Sequence, residues 1–236
     1  MSRGQSHVVG VAVMLGVTVV ALGTVTAGIG VVFDAHAASA DAERVADDLD
    51  AAIQPVATTG PREGSVAFSD GSLRSASRQL RVYRNGSLVR EIEVGALEFT
   101  AADRRVAAVA GAVVRGQDGG AWLHREPPIV GSAEDGVLAI GAVRLNASDV
   151  AVSGSGRTTL HTNVSHARQS LGSGQFTLEL ETATPSAFEG YFEAADATTT
   201  RRDRDGDGVP SVLARYPGTA TGYLVVHDVR LEVTDG

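Results

Sequence analysis

From Val8 to Phe33 the chain runs for 26 residues without a charged side chain, behind a short polar head that carries Arg3. As a helix rising about 1.5 Å per residue, this stretch would reach roughly 39 Å, more than the roughly 30 Å hydrocarbon core of a bilayer. It predicts one tilted membrane-spanning helix. A secretory signal peptide cut at Ala35-His36-Ala37 is the competing reading, but its apolar region would be only about 7–15 residues long.

Beyond the apolar run, Ala38, Ala42, Val45, Leu49, Ala52 and Val56 recur at steps of three and four, interleaved with Asp41, Glu43, Arg44, Asp47, Asp48 and Asp50. That spacing predicts an amphipathic helix with an acidic outer face. Without a proline before Pro55, it continues the first helix as a stalk. From about Gly64 the period changes to that of strands. Gln79–Arg84 and Ser87–Val94 are joined by Asn85-Gly86, a strong hairpin signal. Further strands are expected at Val106–Val114, Val137–Leu145, Val150–Val152, Phe176–Leu180, Tyr223–Val226 and Val229–Val233. Ser186-Ala-Phe-Glu189 has the form of a capping box and opens one short helix, with Phe188, Tyr191, Phe192 and Ala195 on its core face. The expected fold class is α+β: a long N-terminal helix, transmembrane then amphipathic, followed by an antiparallel β-rich head, sheet or sandwich. The divisions are 1–4, 5–33, 34–57 and 64–236.

Arg3-Gly4-Gln5 followed directly by the uncharged run resembles the class III signal of archaeal type IV pilins and archaellins. The resemblance covers about thirty residues. It implies a leader of residues 1–4, cleavage between Gly4 and Gln5 by a prepilin-type peptidase, and a retained helix that packs against other pilin-like subunits. Two departures stand out: Val9 occupies the fifth mature position, where bacterial pilins carry glutamate, and His7 replaces a small or apolar residue. The formal charge is −8, and all 20 basic residues are arginine. An acidic, lysine-free chain rich in Ala, Gly and Val resembles the proteins of extremely halophilic archaea.

Asn85-Gly-Ser87, Asn146-Ala-Ser148 and Asn163-Val-Ser165 fit the N-glycosylation acceptor, and all three follow the expected membrane helix. Arg202-Asp203-Arg204-Asp205-Gly206-Asp207-Gly208 has alternating carboxylates ending in glycine, the first half of a calcium loop, with Asp203, Asp205 and Asp207 as oxygen ligands. The twelfth loop position, where a bidentate glutamate would complete the set, is Ala214. A solvated acidic turn is the alternative reading.

Catalytic patterns are missing from the sequence. The six histidines are scattered, with His161 and His166 five apart and no HExxH. No G-x-S-x-G elbow occurs, Gly154-Ser-Gly156 and Gly172-Ser-Gly174 fit tight turns, and a chain without lysine has no P-loop. The chain has no cysteine for disulfide or thiol chemistry. Without a basic cluster to neutralise phosphates, nucleic acid is excluded as a partner. The expected function is a non-enzymatic, pilin-like or minor-pilin-like surface protein for structure or adhesion, anchored by one span with its C-terminal head outside the cell. The alternative is a single-pass anchored binding module, calcium-stabilised, that forms no filament.

Overall fold

A computed structural model describes residues 3–53, 59–117, 119–132, 135–147 and 149–235. Within the first helix, side chains are described for residues 13–20 and 35–53. In chain order the elements are α1 (Arg3–Ala52), β1 (Gly60–Ala76), β2 (Gln79–Arg84), β3 (Ser87–Glu93), β4 (Ala96–Ala101), β5 (Arg104–Val109), β6 (Ala112–Gln117), β7 (Gly120–Arg125), β8 (Ile129–Ser132), β9 (Val137–Ala147), β10 (Ala151–Gly174), β11 (Phe176–Glu181), α2 (Pro185–Ala194), β12 (Thr198–Arg202), β13 (Ser211–Arg215) and β14 (Ala220–Asp235).

The strands form two sheets. Nine run in the order β7-β6-β5-β4-β1-β10-β14-β9-β8, and five in the order β12-β13-β11-β2-β3. All ladders are antiparallel except β14 with β9, which pair in parallel from Thr221 and Val137 onward. The expected α+β class is therefore corrected: among the described residues, fourteen strands in two sheets, against two helices, make a mainly β fold.

Three layers result. The C-terminal half of α1 buries Ala38, Ala42, Val45, Ala46, Leu49 and Ala52 against one face of the large sheet, where Val66, Phe68, Leu73, Phe99 and Val106 meet them. The small sheet and α2 cover the opposite face through Leu80, Val82, Leu178, Leu180, Phe188 and Phe192. Strands of the large sheet near α1 are thus buried on both faces, which selects continuous apolar runs over alternation. This second half of α1 is part of the core. Val56, the last residue of the expected stripe, lies outside the described residues.

The expected membrane anchor is also corrected. Among the described residues no helix is long and apolar enough to cross a membrane. The single-pass placement, and with it the head outside the cell, is not supported.

Several boundaries moved for identifiable reasons. The run Val106–Val114 is two strands, not one, because Ala110 and Gly111 adopt φ of 51° and 87° and turn the chain. Two positive φ values in a row are the signature of a type I′ hairpin. Asn85 and Gly86, at 50° and 78°, make the same turn between β2 and β3. Tyr223–Val226 and Val229–Val233 fuse into β14. Gly154-Ser-Gly156 and Gly172-Ser-Gly174 are not turns: they lie within the 24-residue β10, where the register slips against β1 and β14. A bulge needs a residue that tolerates unusual φ, and glycine supplies it. Helix α2 begins at Pro185 behind Thr184 without a side-chain cap, so the capping box at Ser186 is not formed.

Candidate functional site

The acidic motif forms the tip that joins β12 to β13 at the edge of the small sheet. Its alternation of arginine and aspartate separates two sets of side chains. Arg202 and Arg204 reach back over the sheet, and the carboxylates of Asp203, Asp205 and Asp207 lie exposed, with oxygens all within 4.8 Å of one another. The turn is held by its own acids. Asp203 accepts hydrogen bonds from the amides of Gly206 at 2.8 Å and Gly208 at 3.1 Å, and Asp207 accepts one from Val209 at 2.8 Å. Gly206 and Gly208 adopt φ of 75° and 86°, which this tight path requires.

Beneath the arginines lies Glu179 of β11, fully buried although it stands on the outer face of the small sheet. Arg202 donates to its carboxylate, Tyr83 Oη donates to it at 2.8 Å, and Arg81 and Arg204 approach to 3.5 and 3.4 Å. Arg204 also donates to Tyr83 Oη at 2.8 Å, and Arg81 is shared with Glu91 at 2.6 Å. Burial alone would raise the pKa of Glu179, but the hydrogen bonds from Arg202 and Tyr83 and the two nearby cations outweigh it and hold the carboxyl below its ordinary range. Next along the strand, Glu181 behaves oppositely. Burial raises its pKa, Arg78 at 3.7 Å opposes the rise, and the charges of Asp205 and Asp207 add to it.

Sequence reasoning identified the aspartates but missed Glu179, Tyr83 and Arg81. The available signal was Phe-Thr-Leu-Glu-Leu-Glu, a strand whose two glutamates alternate with core leucines. Alternation alone predicts solvated glutamates, and only the arginines arriving from the hairpin tip bury one of them.

The other expected site residues are scattered. Asn85 is exposed at its hairpin tip, where its Oδ1 accepts from the Gln175 amide at 2.9 Å. Asn146 is exposed at the end of β9, with Ser148 of its tripeptide outside the described residues, and Asn163 is exposed in the middle of β10. Gly4 and Gln5 belong to the first turn of α1, and their side chains lie outside the described residues.

The acidic face of α1 is not simply solvated. Asp41 is buried, accepting from the amides of Ser69 at 2.9 Å and Asp70 at 3.2 Å, from the Ser69 hydroxyl at 2.5 Å, and from Arg44 at 2.9 Å. Burial would raise its pKa, but the Ser69 and Asp70 donors, with Arg44, bring it below the ordinary value. Asp48 accepts from Ala67 at 3.1 Å, and Asp50 pairs with Arg125 at 2.6 Å. Farther toward its N-terminus, α1 exposes Val13, Met14, Leu15, Val17, Val19 and Val20, each at least 60% accessible.

Residues 3–232 match a family described as a family of unknown function, DUF7289. The chain belongs to that family. No curated protein matches it.

Proposed function

We propose that this member of the family is a non-catalytic structural subunit that assembles with copies of itself through the N-terminal half of α1 and displays the layered β head. The observation that carries this reading is the exposure of six large apolar side chains between Val13 and Val20. Residues this close together point to every side of a helix with 3.6 residues per turn. A helix that is apolar all round requires a partner on all sides, which several neighbouring helices provide. Gly16 leaves open space around its Cα, so that backbones can approach there. The docked second half of α1 ties such a contact rigidly to the head. The resemblance of Arg3-Gly4-Gln5 to a pilin signal supports the same reading, with processing between Gly4 and Gln5. Negative-stain microscopy and sedimentation of the full chain, together with N-terminal sequencing, test it. Filaments or oligomers lost on Met14→Glu and Val17→Glu substitution are expected. A chain that stays monomeric at all concentrations, or oligomers indifferent to both substitutions, overturns it.

A second reading is favoured by the three convergent carboxylates of the β12–β13 tip. It makes the protein a binding module whose tip takes calcium. Hard oxygen donors suit Ca²⁺, which takes about six to eight oxygen ligands. The loop offers three carboxylates, so water or a partner would provide the rest. Calorimetric titration with CaCl₂ tests this reading, and heat abolished by Asp205→Asn is its expected result. No heat at millimolar calcium refutes it.

A further inference from the structure

A cavity of about 510 Å³ opens where the large sheet and α2 diverge, within the size range of small-molecule sites. Its walls come from four separated stretches: the β4–β5 turn, the β6–β7 turn, the start of α2, and β12. Arg104 and Arg105 of β5 and Arg201 of β12 are among its lining residues, with Asp103 beside them. Since successive strand residues face opposite ways, it is Arg105 that lies on the same face as Gly116 and Thr184. Two of the arginines are held in place from the side. Arg201 is gripped through both Nε and Nη2 by Glu189, while Arg104 donates to Gln117 and lies 3.4 Å from Asp103. Arg105 is exposed and makes no hydrogen bond or ion pair among the described residues.

We infer that this cleft is a binding site for a small polar molecule carrying a carboxylate or sulfate group, such as an acidic sugar, with Arg105 as its principal charged contact. The guanidinium fork matches a planar or tetrahedral oxyanion with two parallel hydrogen bonds, which a point-charge cation does not. Among the described residues the walls carry no aromatic ring or branched aliphatic side chain, a lining suited to a polar ligand. Gly116 lines the cleft beside Thr184. The second cavity, about 330 Å³, lacks this character: its one arginine, Arg144, is engaged by Asp228 at 2.5 Å, and Glu93 and Asp149 add negative charge. The inference is independent of how α1 assembles.

The test is calorimetric titration of the full chain, at low ionic strength, with glucuronate, glucose 6-sulfate and glucose. Both charged probes are expected to bind and glucose is not; a preference between the charged probes separates a carboxylate ligand from a sulfate ligand. Arg105→Ala is expected to weaken binding by about 10- to 100-fold, the worth of a hydrogen bond to a charged group. The melting temperature of that variant should match the parent, since among the described residues the side chain has no hydrogen-bond or ion-pair partner to lose. Absence of heat with both charged probes, binding of glucose equal to theirs, or binding unaffected by Arg105→Ala overturns the inference.

Discussion

Replacing Glu179 by Gln tests whether one buried charge holds the β12–β13 hairpin to the sheet. The substitution preserves shape and removes the negative charge facing Arg81, Arg202 and Arg204. Removing one partner of a buried pair typically costs about 3–5 kcal/mol, because the remaining charge is left uncompensated. Here the cost is smaller. Arg202 and Arg204 are 42% and 41% exposed and can turn into water, and Arg81 keeps Glu91 at 2.6 Å. About 2–3 kcal/mol remains, which for a chain of this length lowers the melting temperature by about 4–12 °C.

The pH dependence gives a second, independent readout. The folded-state pKa of Glu179 lies below its ordinary value of 4.5. Its contribution is therefore fully present above that value and is lost as pH falls through the folded-state pKa. Urea unfolding of the parent and of Glu179→Gln, followed from neutral to acidic pH, should show a stability gap that is widest at pH 7 and closes in acid. A gap below about 0.5 kcal/mol at pH 7, the ordinary range for a surface change, refutes the argument. So does a gap that persists unchanged at the acid end. Combining the change with Arg202→Ala should cost less than the sum of the two single changes, since each removes the same contact.

Other substitutions probe the remaining joints of the fold. Asp41→Asn should cost about 2 kcal/mol, because the amide cannot satisfy the donors of Ser69, Asp70 and Arg44 together, and hydrogen exchange at the Ser69 and Asp70 amides should quicken. Leu49→Ala, at a fully buried site between α1 and the large sheet, should cost about 2–5 kcal/mol in urea unfolding. Gly95→Ala should destabilise by more than about 1 kcal/mol in a thermal melt. Gly95 holds φ at 60°, and a Cβ would meet the Leu145 carbonyl oxygen at 2.5 Å.

Much of the fold was legible where one local force decides the structure. Asn85-Gly86 set a hairpin because few other pairs accept two positive φ values, and the 3–4 spacing from Ala38 to Ala52 marked the buried face of α1 because that stripe fits only a flat apolar surface. What was not legible depends on residues far apart in sequence. The run Val106–Val114 looks like one half-buried strand until a second layer covers its other face, and then Ala110-Gly111 turns it into a hairpin. Asp41 looks like part of a solvated acidic face until β1 presents two amides to it. Glu179 looks like an outward-facing strand glutamate until Arg202 and Arg204 fold over it. In the last two cases a polar residue on the expected solvent face is used to join two elements. A chain whose net charge of −8 suggests only a hydrated surface thus uses Asp41, Asp48 and Asp50 to fix α1 to the sheet, and Glu179 to fix the acidic tip. Those are the attachments that would keep the head rigid relative to α1, as assembly through that helix requires.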